Sequence, residues 1–93
     1  MTQRLSRTFE IVNKRGLHAR ASSKFAMLAG EYADCFIRVS REDQEVDGES
    51  IMDLMMLAAG IGSEIVVSAE GPRAEAALDA LTDLVASRFG EDE

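Results

Sequence analysis

Residues 64–78 read EIVVSAEGPRAEAAL, and this stretch holds a strand, a turn and the start of a helix. Ile65, Val67 and Ala69 occupy every second position, which is the period of a β-strand with one buried face. The Gly-Pro pair that follows ends the strand and places Pro72 at the first turn of a helix, where a missing N–H costs nothing. We therefore predict a strand that is followed at once by a helix.

The same two periods recur along the rest of the chain. Apolar residues three and four positions apart predict helices over residues 21–32, 50–59 and 74–88. Alternating apolar residues predict further strands over residues 8–12, 35–40 and 45–46. Gly60 is the expected left-handed stop of the second helix. The element order β-α-β-β-α-β-α predicts an α+β fold, with a mostly antiparallel sheet and its helices on one face.

Length and composition indicate one compact domain over residues 1–93. Hydrophobic residues make up 46% of the chain and charged residues 29%, which is an ordinary globular balance. A chain of 93 residues can bury one core but not two. Only Glu91, Asp92 and Glu93 look like a solvated acidic tail.

The formal charge of −7 argues against nucleic acids and anionic membranes as partners, because binding a polyanion needs a surface of lysine and arginine. No apolar run approaches the roughly 20 residues that cross a bilayer, and no signal-peptide pattern opens the chain. The single cysteine, Cys35, lies in an apolar run and is expected to be buried and unreactive. We expect a cytoplasmic protein whose partners are proteins or small molecules.

The only histidine lies within Gly16-Leu17-His18-Ala19-Arg20, between a predicted strand and a predicted helix. The first N–H groups of a helix have no carbonyl partner and lie at the positive end of the helix dipole, so they can bind an anion. A phosphoryl group on His18 would meet these donors, and Arg20 would add a positive charge. A neutral imidazole can attack phosphorus. The placement fits a phosphoryl carrier, and it also fits a plain polar residue at a helix end.

Two other functions could use the same residues. In a regulatory domain, His18 and Arg20 would bind an anionic metabolite without covalent change. In a hydrolase, His18 would act as general base, although Ser22 and Ser23 lack the G-x-S-x-G pattern of a nucleophile turn. No metal and no cofactor are expected, because no second histidine or nearby cysteine and acidic cluster supplies a ligand set.

The sequence GESIMDLMMLAA over residues 48–59 predicts a helix that is apolar around most of its circumference. A short helix in a small domain cannot bury every side, so exposed methionines would form an adaptable docking surface. Core filling is the alternative for these methionines. Ser50 is either the N-cap of this helix or a regulatory phosphorylation site beside Glu49 and near Asp53.

Together these segments resemble the HPr family, the histidine-containing phosphocarriers of the bacterial phosphoenolpyruvate-dependent phosphotransferase system. The resemblance covers residues 7–89 and is carried by Gly-Leu-His-Ala-Arg at residues 16–20 and by Ser-Ile-Met at residues 50–52, with Leu-Met following at residues 54–55. It implies an open-faced β-sandwich, in which three helices cover one face of a four-stranded antiparallel sheet. It also implies that His18 is phosphorylated on Nδ1 and that Arg20 steadies the phosphoryl group.

The resemblance further implies a phosphoryl carrier that is not itself an enzyme and is expected to be a monomer. Enzyme I would be the donor and an enzyme IIA-type protein the acceptor, and an HPr kinase/phosphorylase would act on Ser50. The residues expected to contact these partners are Arg15, Leu17, Arg20, Lys24, Ile51, Met52 and Met55.

The chain departs from the common family pattern at several positions. Ala21 stands where proline usually follows the His-x-Arg triplet, and Asp53 stands where glycine is usual. Met27 and Gly30 replace lysines that many sugar-transport members carry beside the site. These changes resemble the nitrogen-related branch of the family, which implies a regulatory role and partners chosen by phosphorylation state.

Overall fold

The computed structural model describes residues 4–93, and within them the predicted order of elements is confirmed. The strands are β1 (Arg4–Glu10), β2 (Phe36–Arg41), β3 (Gln44–Asp47) and β4 (Glu64–Glu70). The helices are α1 (Ala19–Gly30), α2 (Ile51–Met56) and α3 (Ala74–Ala86), and a single 3-10 turn (Arg88–Gly90) follows α3.

The four strands form one antiparallel sheet in the order β1-β4-β2-β3. The strand β4 lies between β1 and β2. Its residue Val67 pairs with Arg7 of β1 on one side and with Val39 of β2 on the other. β2 and β3 form the predicted hairpin. The predicted α+β fold with an antiparallel sheet is therefore confirmed.

One face of the sheet is covered by helices and forms the core. Helix α3 packs against β1 and β4, and α1 packs against both α3 and α2. The strand side chains buried beneath them alternate as predicted and are Phe9, Ile37, Val39, Ile65, Val67 and Ala69. Phe36 and Val66, on the alternate positions, remain exposed on the other face. Removal of the inner face from water is the main stabilising term of this arrangement.

Helix α2 is shorter than predicted and ends at a different residue. The prediction that Gly60 is its left-handed stop is wrong, since Ala58 takes that conformation with a φ of 53°. The N–H of Ala58 donates to the carbonyl of Met55 at 3.1 Å. Both neighbours of Ala58, Leu57 and Ala59, are buried, so core packing sets the position of the turn and overrides the preference of glycine.

The ends of two other elements also differ from the prediction. β1 begins at Arg4 rather than at residue 8, because it pairs with β4 along its whole length, and it ends at Glu10. Pro72 precedes the N-cap residue Arg73 and so lies just outside α3. The chain leaves α3 after Ala86 and turns back, which buries Phe89 completely.

Cys35 is buried, which confirms its interpretation as a packed side chain. Among the helices of residues 4–93, none combines the length and the apolar character needed to cross a membrane.

Candidate functional site

His18 is the N-cap residue of α1. Its backbone is extended (φ −73°, ψ −179°), and its Nδ1 accepts a hydrogen bond from the backbone N–H of Arg20 at 3.3 Å. The N–H of Ser22 donates to the carbonyl of His18 at 2.8 Å and closes the first helical turn. Since the first turn of α1 carries no acidic residue, no charge within that turn opposes the positive helix end at which Nδ1 lies.

The loop that carries His18 is fastened to the segment after α2. Gly16 has a φ of 63°, and a Cβ there would lie 2.3 Å from the carbonyl oxygen of Ala59, so only glycine fits. The N–H of Leu17 donates to that same oxygen at 3.0 Å. The loop before His18 and the α2 region are therefore held in a fixed relation through Ala59.

Basic side chains surround the start of α1. Lys14, Arg15, Arg20 and Lys24 line an open cleft of about 500 Å³ together with the carboxyl-terminal residues 90–93. Three of these, Arg15, Arg20 and Lys24, are the basic residues predicted to contact partners, and all three are exposed. Lys24 also donates through Nζ to the carbonyl oxygen of Phe89 at 2.5 Å. The four side chains of this basic rim would attract an anionic group to His18, and the carboxylates of residues 91–93 in the same cleft oppose that attraction.

The prediction that residues 91–93 form a solvated tail is wrong for Glu91. Nε2 of His18 lies 2.5 Å from Oε2 of Glu91, and the two side chains are only 23% and 15% exposed. Asp92 and Glu93 are exposed, and Glu93 pairs with Lys14 at 3.4 Å. The burial of Phe89 turns the chain back towards α1, which brings Glu91 against the imidazole.

Asn13 completes the contacts of Glu91. It is fully buried, and its Nδ2 donates to Oε1 of Glu91 at 3.1 Å and to the carbonyl of Gly16 at 2.9 Å. Burial raises the pKa of Glu91, but the hydrogen bonds from His18 and Asn13 and the charges of His18 and Lys24 outweigh it and leave the pKa below its ordinary value. Glu91 is therefore a carboxylate at neutral pH.

Neither Glu91 nor Asn13 belongs to the site that the sequence predicts. Glu91 is 73 residues from His18, and no spacing pattern links the two. Asn13 sits in a polar stretch before Gly16, which is typical of a turn, and only its complete burial marks it as unusual.

The two serines near His18 are occupied by other contacts. Ser22 is buried and its Oγ donates to the carbonyl of Leu17 at 3.0 Å, while Oγ of Ser23 lies 3.9 Å from Sδ of Met27. Within residues 4–93, neither hydroxyl hydrogen-bonds to His18, so the arrangement does not resemble a nucleophile and its base. No group of three or more His, Cys, Asp or Glu side chains in that range could hold a metal ion.

The predicted docking residues divide into an exposed set and a buried one. Ile51, Met52 and Met55 are 41%, 72% and 42% exposed, and they lie on α2 with Met56, which is also exposed. We call Ile51, Met52, Met55 and Met56 the α2 patch. The prediction that Leu17 contacts partners is wrong, because it is 4% exposed and its side chain packs in the core.

Ser50 is the N-cap of α2, as one interpretation of the sequence predicts. Its Oγ accepts a hydrogen bond from the N–H of Asp53 at 3.3 Å, and Asp53 lies in the first turn of the helix. Glu49 precedes it, and its backbone N–H donates to Oδ1 of Asp47 at 2.9 Å. A carboxylate therefore stands on both sides of Ser50 in the sequence, at the start of a helix of six residues.

Three comparisons agree on one family. The family model of the PTS HPr component phosphorylation site matches residues 5–87. A phosphocarrier protein HPr from Cupriavidus necator is 51% identical over 96% of this chain and 99% of its own length. A phosphocarrier protein NPr from Shewanella violacea is 41% identical over 95% of this chain and 96% of its own length.

The fold comparison leads to the same family. The crystal structure of HPr-C-His from Thermoanaerobacter tengcongensis superposes with a TM-score of 0.90 at 39% sequence identity, and the match covers 96% of this chain and 99% of that one. Together with the antiparallel sheet and its three helices, this similarity confirms the open-faced sandwich expected from the resemblance.

Proposed function

Because the chain belongs to the HPr family of phosphocarrier proteins, we propose that it accepts a phosphoryl group on Nδ1 of His18 from phosphoenolpyruvate-charged enzyme I. It then passes the group to an enzyme IIA-type protein. The observation that carries this proposal is the position of Nδ1 at the start of α1, 3.3 Å from the N–H of Arg20. In this function the chain is a carrier and performs no reaction of its own on a small molecule.

The start of α1 supplies what a transferred phosphoryl group needs. When the group bonds to Nδ1, the N–H of Arg20 can donate to a phosphoryl oxygen instead of to the ring. The guanidinium of Arg20 can reach the same oxygens from its exposed position and partly neutralise their charge. The open cleft leaves the group accessible to a second protein, which a carrier requires.

Docking of donor and acceptor would use the basic rim and the α2 patch together. Arg15, Arg20 and Lys24 would pair with acidic side chains of the partner, and Ile51, Met52 and Met55 would pack against apolar ones. Such a small surface suits complexes that form and release quickly. A monomer keeps the α2 patch free, so we expect the working form to be monomeric. We also expect it to act in the cytoplasm.

Ser50 would be the site of an HPr kinase/phosphorylase in a cell that has one. A phosphate on its Oγ would place two negative charges next to Glu49 and Asp53, inside the surface that enzyme I must approach. Phosphorylation there would slow transfer to His18. The departures at Ala21, Met27, Gly30 and Asp53 favour a regulatory role of the nitrogen-related kind, in which partners distinguish the phosphorylated from the bare carrier.

The test is the intact mass after incubation with phosphoenolpyruvate and enzyme I. We expect the native chain to gain one acid-labile phosphoryl group and His18→Ala to gain none. Ser50→Ala is the control and should gain the group as the native chain does. If the native chain gains nothing from an active donor, binding of an anionic metabolite in the basic cleft becomes the better function, and calorimetric titration with such metabolites would test it.

A further inference from the structure

We propose that Glu91 is a positioning residue for His18, which holds the imidazole in the tautomer whose Nδ1 can attack phosphorus. The inference rests on the proposed function, since it concerns how the same ring receives the phosphoryl group. The sequence motif and the start of α1 locate the site at residues 16–20, and this inference adds a residue from the far end of the chain.

The contacts of the ring define where its proton is. Nδ1 accepts the N–H of Arg20, so it carries the lone pair. Nε2 faces Oε2 of Glu91 at 2.5 Å. Because the pKa of Glu91 is below its ordinary value, this oxygen has no proton to donate at neutral pH. Nε2 must therefore be the donor, and the Nε2–H tautomer is the one held in place.

The second oxygen of Glu91 explains why a carboxylate is needed. Oε1 accepts from Nδ2 of Asn13 at 3.1 Å while Oε2 faces Nε2 of His18, so each oxygen meets a donor. The orientation of the Asn13 amide is fixed, because its Nδ2 also donates to the carbonyl of Gly16. An amide in place of the carboxylate would have one acceptor for two donors.

Glu91 also lies where charge develops during transfer. The lone pair of Nδ1 forms the new N–P bond while the bond between phosphorus and the donor breaks, and the electron pair of that bond leaves with the donor. The proton on Nε2 stays, so the ring gains a positive charge that faces the carboxylate of Glu91. A carboxylate paired with a histidine stabilises such an imidazolium in hydrolase triads as well. Return of the phosphoryl group to an acceptor reverses each change.

The experiment compares Glu91→Gln with Glu75→Gln, which removes the same charge from an exposed position in the first turn of α3, outside the cleft. Nitrogen NMR of the labelled imidazole at neutral pH reports the tautomer, and mass spectrometry over time reports the rate of phosphorylation by enzyme I. In Glu91→Gln, the amide oxygen is expected to accept from Asn13 and the amide N–H₂ to face Nε2. The ring should then shift towards the Nδ1–H tautomer.

We expect phosphorylation of Glu91→Gln to be slower by about tenfold, which is the lower bound for losing a carboxylate that orients a metal-bound histidine. Glu75→Gln should match the native chain in both measurements. Glu91→Ala, which has no amide, should show a mixture of tautomers and a loss of rate between those of the other two chains.

Two results would overturn the inference. One is a Glu91→Gln chain with the native tautomer and the native rate, and the other is a slower chain that keeps the native tautomer. Failure of the proposed function looks different: the native chain itself would take no phosphoryl group from an active donor, whatever tautomer its NMR spectrum shows.

Discussion

The starts of α1 and α2 share a side-chain capping hydrogen bond and differ in the charges around it. In each, the N-cap side chain accepts a backbone N–H at 3.3 Å, from Arg20 to His18 and from Asp53 to Ser50. The first turn of α1 has no acidic residue, and four basic side chains lie around it together with the carboxylate of Glu91. Helix α2 carries Asp53 in its first turn and Glu49 before it, and no basic residue lies between them in the sequence. The helix end alone therefore does not define a phosphoryl site. We expect the charges around it to decide which of the two starts can keep a phosphoryl group.

Moving the histidine is the most severe test of this difference. The double variant His18→Ala/Ser50→His would place an imidazole at the N-cap of α2, between Glu49 and Asp53. We expect no acid-labile phosphoryl group in the presence of enzyme I and phosphoenolpyruvate, because the acidic neighbours repel the incoming group. Intact mass checks the result, with the native chain as the positive control. A gain of one phosphoryl group by the double variant would mean that a helix start suffices.

The positive surroundings of α1 can be weakened at one residue. Arg20→Ala should reduce the rate of phosphorylation by about tenfold to a hundredfold, because it removes a charged donor from the developing negative charge on the phosphoryl oxygens. Arg20→Lys should lose less, since it keeps the charge but not the fork of donors. Arg38→Ala removes a charge from the sheet face opposite the helices, since Arg38 alternates with the buried Ile37 and Val39, and should leave the rate unchanged. Time-resolved intact mass gives all three rates.

The negative surroundings of α2 can be strengthened at one residue. Ser50→Asp adds a third carboxylate beside Glu49 and Asp53 and should slow phosphorylation of His18 by about tenfold through repulsion of an acidic partner surface. Ser50→Asn has nearly the same shape and remains a good N-cap, so it isolates the charge. Equal rates for the two variants would show that partners do not approach this end of α2.

The smallest expected effect is on how the stability of the fold depends on pH. Because the folded-state pKa of Glu91 is lowered, its contacts stabilise the fold above its unfolded pKa of about 4.3, and this contribution is lost as the pH falls through the folded value. At pH 7 the free energy of unfolding of Glu91→Gln should be lower than that of the native chain by about 1 kcal/mol, and the gap should close in acid. Urea titrations at several pH values would measure it, and an equal gap at every pH would contradict the pairing.

Local patterns predicted the fold and the centre of the site because both depend on short spacings. Alternation in Ile65, Val67 and Ala69 identifies the central strand, and the five residues from Gly16 to Arg20 contain the histidine that we propose as the nucleophile. The predictions were wrong where packing against residues distant in the sequence determines the local conformation. Ala58 replaces Gly60 as the left-handed residue because its two neighbours are buried, and Leu17 faces the core although it adjoins His18. Glu91 could not be predicted because its place follows from the burial of Phe89.

The carboxyl-terminal segment that folds over the basic rim has a practical consequence for anyone who attaches this protein to a surface or fuses it to a reporter. A linker joined after Glu93 would begin beside Lys14 and within the cleft that we propose partners enter. A linker joined ahead of Arg4 would leave from the other end of β1, about 20 Å along the strand from Glu10 at 3.3 Å per residue. Sensors and pull-down baits built from this domain should therefore be anchored through the amino end.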